Sequence, residues 1–96
     1  MVVQSPVRLT VGVQRVLREL ENGERFGQEL AEPTQLASGV VYTILNRLHS
    51  SGLIAKRVED GDATQLKRPL RIFYRLTDLG LQIARTHIEL ARPEKQ

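Results

Sequence analysis

The chain has 96 residues, 41% of them apolar and 26% charged, with no cysteine and a net charge of +3. That length holds one small domain that buries about 60 to 65% of its unfolded surface, a marginal core that association with a second copy would strengthen. The lack of cysteine excludes a disulfide framework, a thiolate metal site and a cysteine nucleophile, and it suits a reducing cytoplasm.

The opening Met1-Val2-Val3-Gln4-Ser5-Pro6 lacks the basic stretch and apolar run of an export signal. No segment reaches the roughly 18 apolar residues of a membrane span, so a soluble, intracellular protein is expected, with residues 1–8 as a flexible arm. From Leu9, the apolar residues Leu9, Val13, Val16, Leu17 and Leu20 form the stripe of an amphipathic helix, capped by Thr10 and stopped by Asn22-Gly23. A short second helix is predicted over Glu24 to Ala31, pairing Phe26 with Leu30 and ending before Pro33. A third runs from about Ser38 to Ser50, with Val41, Ile44, Leu45 and Leu48 inward and Gly52 as terminator. Leu53 to Glu59 and Arg71 to Leu76 then read as two antiparallel strands, joined by a turn-rich loop of about eleven residues. Thr77-Asp78 opens a last helix that ends near Pro93.

The charge is unevenly placed. Residues 1–50 carry five basic and five acidic groups, and residues 51–96 carry nine and six. Between Glu19 and Glu32 there are five acids and one base, whereas Pro33 to Val58 holds no acid at all, as befits a surface that approaches phosphates. Lys67, Arg68, Arg71 and Arg75 form a second cluster free of acids.

Three helices, a hairpin and a further helix are the element order of a winged helix-turn-helix, a mainly α domain with a small β-hairpin as wing. The residues Gly39-Val40-Val41-Tyr42-Thr43-Ile44-Leu45-Asn46-Arg47-Leu48, followed by Gly52-Leu53-Ile54, resemble the recognition helix of the PadR family. Arg71-Ile72-Phe73-Tyr74-Arg75-Leu76-Thr77-Asp78-Leu79-Gly80 is similar to that family's second block, and Phe26-Gly27 resembles its Tyr-Gly pair. The resemblance spans Leu9 to about Ala91 and implies a dimeric bacterial or phage transcription regulator, usually a repressor. The chain departs from the pattern at Ala37, where a capping Ser or Asn is usual and Ser38 is the substitute. It departs again in the wing loop, with Leu66, Pro69 and Leu70, and in its lack of tryptophan, which argues against a pocket that stacks planar drugs.

A helix in the major groove reads bases with one face and is held by the other. The outward set is Ser38, Gly39, Val40, Thr43, Asn46 and Arg47, with Asn46 suited to adenine, Arg47 to guanine or a phosphate, and Thr43 to a thymine methyl. Tyr42 is expected at a phosphate or half-buried, and Lys67, Arg68 and Arg71 at the minor groove or backbone beside the wing. The two histidines, His49 and His87, lie on different helices, so no metal site is expected. No nucleophile elbow or phosphate loop suggests an enzyme, no cofactor is expected, and a small-molecule inducer is left open as a partner. A protein-interaction module is the competing expectation, since this fold serves both ends; the acid-free third helix favours duplex DNA.

Residues 9–76 are thus expected to form the DNA-binding domain, residues 77–92 a dimerisation helix and residues 93–96 a tail. At about 100° per residue, Leu79, Ile83 and Leu90 fall on one side of the last helix and Leu81, Ala84, Ile88 and Ala91 nearly opposite. One side suffices for the core. The other, with Val7 and Val11, would build a two-fold dimer, so Val7, Val11, Leu79, Leu81, Ile83, Ile88 and Leu90 are the interface candidates.

Overall fold

The structure, a computed structural model, describes residues 9–88, with side-chain surroundings for residues 9–86. Val7 and Leu90 lie outside the described residues, as does the side chain of Ile88. Helix α1 (Val11–Leu20) begins where the Thr10 hydroxyl accepts from the Val13 N–H at 3.2 Å. It buries Val13, Val16, Leu17 and Leu20, the predicted stripe. The chain then turns at Gly23, whose φ of +130° is one that side-chain-bearing residues rarely adopt.

The helix predicted over Glu24 to Ala31 does not form. Arg25–Phe26 make a short strand, β1, followed by a 3-10 turn over Gly27–Leu30 and one α-helical turn, α2 (Ala31–Thr34). Pairing decides this: Arg25 stands opposite Tyr74 and Phe26 opposite Phe73, a partnership that outweighs the weak Phe26/Leu30 periodicity. Pro33 falls inside α2, not beyond its end, because in the first turn of a helix the missing N–H has no bond to lose.

Helix α3 (Ser38–Ser50) matches its prediction and buries Val41, Ile44, Leu45 and Leu48. Its cap position is Ala37, which offers no side-chain acceptor; Ser38 is the first helical residue and not the cap. Strand β2 (Ile54–Val58) pairs antiparallel with β3 (Ile72–Leu76), from Ile54 opposite Leu76 to Val58 opposite Ile72. The sheet is three-stranded, in the order β1-β3-β2, where two strands were expected. The connection holds a short helix, α4 (Ala63–Leu66), capped by the Asp62 carboxylate, which accepts from the Thr64 N–H at 2.9 Å.

Thr77 caps α5 (Asp78–Ile83), accepting from the Gly80 N–H at 3.0 Å, and the chain continues through a wider π turn over Ala84–Ile88. A Cβ at Gly80 would run into the carbonyl oxygen of Leu53, so the α5 backbone lies directly on the chain between α3 and β2. The buried line of this segment is Gly80 and Ala84. Neither side of the segment is wholly core or wholly free: on one, Ile83 packs against the core while Leu79 is 49% exposed, and on the other Ala84 is buried while Leu81 is half-buried. Small residues made the close approach, and a count of large apolar residues passes over them. No helix among the described residues is long and apolar enough to cross a membrane.

Candidate nucleic-acid interface

With its apolar stripe fixed in the core, α3 turns Ser38, Gly39, Val40, Tyr42, Thr43, Asn46 and Arg47 outward, all of them exposed. The Thr43 hydroxyl donates to the Gly39 carbonyl at 3.0 Å, which leaves its oxygen lone pairs and methyl group for a partner. Asn46 and Arg47 have no side-chain partner among the described residues. No acid lies on this helix.

Beside the exposed face runs a groove of about 370 Å³. It is lined by Tyr42 of α3, by Phe26, Gly27 and Gln28, by Arg68 to Ile72, and by Tyr74. Helix α3 and the start of the β3 arm thus share one concave surface that no acid lines. The Tyr74 hydroxyl is harder to ionise than usual, because burial disfavours its anion and Tyr42 stands near it.

Where β1 meets β3, the sheet carries an arrangement that sequence reasoning missed. Phe26 and Phe73 meet edge to face with ring centres 5.8 Å apart. The Arg71 guanidinium lies 4.1 Å from the centre of the Phe26 ring, and that of Arg57 lies 4.8 Å from the centre of the Phe73 ring. Arg57 also makes a two-pronged pair with Glu24, both bonds at 2.8 Å, which holds that carboxyl below its ordinary range. The partners are 33 positions apart, so only the β1-β3-β2 order brings them together.

The predicted wing cations divide. Lys67 is exposed, at the end of α4, with a left-handed φ of +61°. Arg68 is half-buried and committed to Glu59, with Nη1 and Nη2 each 2.8 Å from a carboxylate oxygen. Glu59 is held at a pKa of about 2, first by Arg68 and then by the backbone N–H of Arg71. Glu59 was not among the predicted site residues; a lone acid next to Asp60 gives no local signal of its partner. Arg71 is half-buried and lines the groove. Among the described residues no group of three or more His, Asp or Glu side chains is placed to hold a metal ion.

The sequence profile of the transcriptional regulator PadR-like family matches residues 16–86. Among solved structures, the fold resembles a PadR family transcriptional regulator from Eggerthella lenta at 26% identity and a TM-score of 0.66, over 81% of this chain and 69% of that one. It also resembles ZitR, a zinc-responsive MarR family member from Lactococcus lactis, at 21% identity and a TM-score of 0.71, over 90% of this chain and 56% of that one. The adhesin competence repressor AdcR from Streptococcus pyogenes is similar at 21% identity and a TM-score of 0.70, over 86% of this chain and 57% of that one. The chain spans only 53% to 58% of the length of the ZitR structures it matches. No curated protein matches it significantly by sequence.

Proposed function

The chain belongs to the PadR-like family of transcriptional regulators, and from that membership we propose that it binds double-stranded DNA through α3 and the wing, as a homodimer that represses transcription from an inverted-repeat operator in the cytoplasm. The observation that carries this reading is the exposed, acid-free face of α3 opening onto a groove walled by the wing. Ser38, Gly39, Val40, Thr43, Asn46 and Arg47 face the bases in the major groove. Tyr42 and Arg71, which both line the groove, take the phosphate backbone, and Lys67 takes it at the wing. Arg68 stands apart from this set because its guanidinium is already filled by Glu59. Exposed Val11 and Leu79 support a second copy as partner, and a two-fold dimer spaces half-site centres about 10 base pairs apart or a multiple of that. The repressor role is drawn from the likeness to AdcR.

Selection of bound duplexes from a random library, followed by fluorescence anisotropy on the enriched sequence, tests the reading. A recurrent two-fold sequence is expected, with affinity that falls steeply between about 50 and 200 mM salt. Enrichment of no sequence, together with binding indifferent to salt, would reject it in favour of a protein-interaction module.

A further inference from the structure

The connection between β2 and β3 is held shut by one carboxylate. Glu59 Oε1 accepts from Arg68 Nη1 at 2.8 Å and from the backbone N–H of Arg71 at 3.0 Å, while Oε2 accepts from Arg68 Nη2 at 2.8 Å. The backbone N–H of Glu59 donates to the Arg71 carbonyl at 2.7 Å, and Arg68 Nη1 also reaches the Pro69 carbonyl at 3.2 Å. Inside this clasp, Asp62 caps the start of α4 and the Arg68 N–H closes its end on the Ala63 carbonyl at 3.3 Å. Lys67 sits between these ties with φ at +61°. That is the left-handed cap by which a helix ends, as Gln35 also ends α2, and the Lys67 N–H closes it on the Ala63 carbonyl. Lys67 therefore lies between the end of α4 and the Arg68 clasp, which set where it projects.

The two-pronged geometry of Arg68 on Glu59 is the one a phosphate would otherwise take. A DNA phosphate arriving at Arg68 would have to displace the carboxylate and then stand beside it with like charge. Lys67, adjacent in sequence, is exposed and meets no such obstacle. Two neighbouring cations that look equivalent in the sequence therefore do different things.

We propose that Glu59 is a positioning residue for duplex binding: by clasping Arg68 and the Arg71 amide it withdraws Arg68 from phosphate contact and fixes the turn that presents Lys67. This rests on the duplex-binding reading above. The specificity of the wing is then set by an acid, since a freed Arg68 would grip any phosphate regardless of sequence.

The full chain, as wild type and as E59Q, R68Q and K67Q, is titrated against its selected operator and a random duplex at several salt concentrations. K67Q should flatten the salt dependence by about one phosphate equivalent, whereas R68Q should leave the slope at the wild-type value. E59Q should steepen the slope by up to about one equivalent as Arg68 is released. Both E59Q and R68Q should lower the preference for operator over random DNA by about tenfold, the worth of one charge-assisted hydrogen bond. A slope flattened by R68Q as much as by K67Q, or an E59Q protein with unchanged slope and preference, overturns the proposal. Tryptic cleavage after Lys67 supplies a readout without DNA: it should be faster in E59Q than in wild type at equal helix content by circular dichroism, and equal rates also overturn it. If the wild-type chain binds no duplex, the duplex reading falls, while the cleavage rates still decide whether Glu59 holds the turn.

Discussion

The ring of Tyr42 stands against the backbone of Gly27, so close that a Cβ at Gly27 would lie 2.6 Å from the tyrosine Cε1 and its hydroxyl oxygen. The contact ties the exposed edge of α3 to the turn that follows β1, and it accounts for the Phe26-Gly27 pair as a steric requirement. Gly27→Ala should leave the domain folded, since Tyr42 is 38% exposed and can swing outward, but weaken duplex binding about tenfold by displacing that ring. In a double-mutant cycle, adding Gly27→Ala to Tyr42→Ala should cost almost nothing further. Additive losses would show that Gly27 acts without Tyr42.

On α3, Asn46→Ala and Arg47→Ala should each cost about 1 to 3 kcal/mol on the operator and much less on random DNA. Anisotropy titrations on both duplexes check this. Equal losses on the two would assign these side chains to the backbone alone.

Two glycines should respond with opposite signs. At Gly80 an added methyl meets the Leu53 carbonyl, which is backbone and cannot step aside, so Gly80→Ala should destabilise the domain by about 3 kcal/mol. At Gly39, in the first turn of α3, nothing lies within 4 Å of an added Cβ, so Gly39→Ala should stabilise by about 0.5 to 1 kcal/mol. Urea midpoints read both effects.

Glu59 gives stability a pH dependence of known sign. Its carboxyl titrates near 2 in the fold against an ordinary 4.5, so its contribution is complete above the ordinary value and is lost as pH falls from about 4.5 towards 2. Glu24, lowered by Arg57, acts in the same direction. Urea midpoints of wild type and Glu59→Gln should differ most near neutrality and converge as pH approaches 2. A gap that stays constant over that range would mean the clasp does not depend on ionised Glu59.

Leu79 and Ile83 separate the core from the proposed dimer interface. Leu79→Glu, at a 49% exposed position, should leave a folded chain that sediments as a monomer and binds operator poorly. Ile83→Glu places a charge against the core and should unfold the domain, as circular dichroism would show. A Leu79→Glu protein with the mass of the wild type would remove Leu79 from the interface.

How far these features could be read in the sequence depends on the distance over which each is determined. Helix α3 was legible throughout because Val41, Ile44, Leu45 and Leu48 repeat at helical spacing and all four are buried. Strand β1 was not, because two residues carry no period and their conformation comes from Tyr74 and Phe73, almost fifty positions away. The core face of α5 stayed open in the sequence for a different reason: its closest contact is made by Gly80, which contributes no apolar side chain to count. At the wing, the cluster of Lys67, Arg68 and Arg71 was plain, but the acid that engages one of them lies across the connection from β2 to β3. Local sequence shows where charge is, and the fold decides which of it is spent.

Strand β1 is only two residues long, yet it pairs with the wing at one end of its chain path and runs directly into the turn under Tyr42 at the other. In the proposed complex, α3 and the β2-β3 hairpin would therefore meet the duplex tied together through β1, with little freedom to open or close around it. A mismatch in curvature would then be absorbed by the DNA, through bending or a change in groove width. Operators would then be chosen partly by how cheaply they deform, and base steps that no side chain touches would carry part of the discrimination.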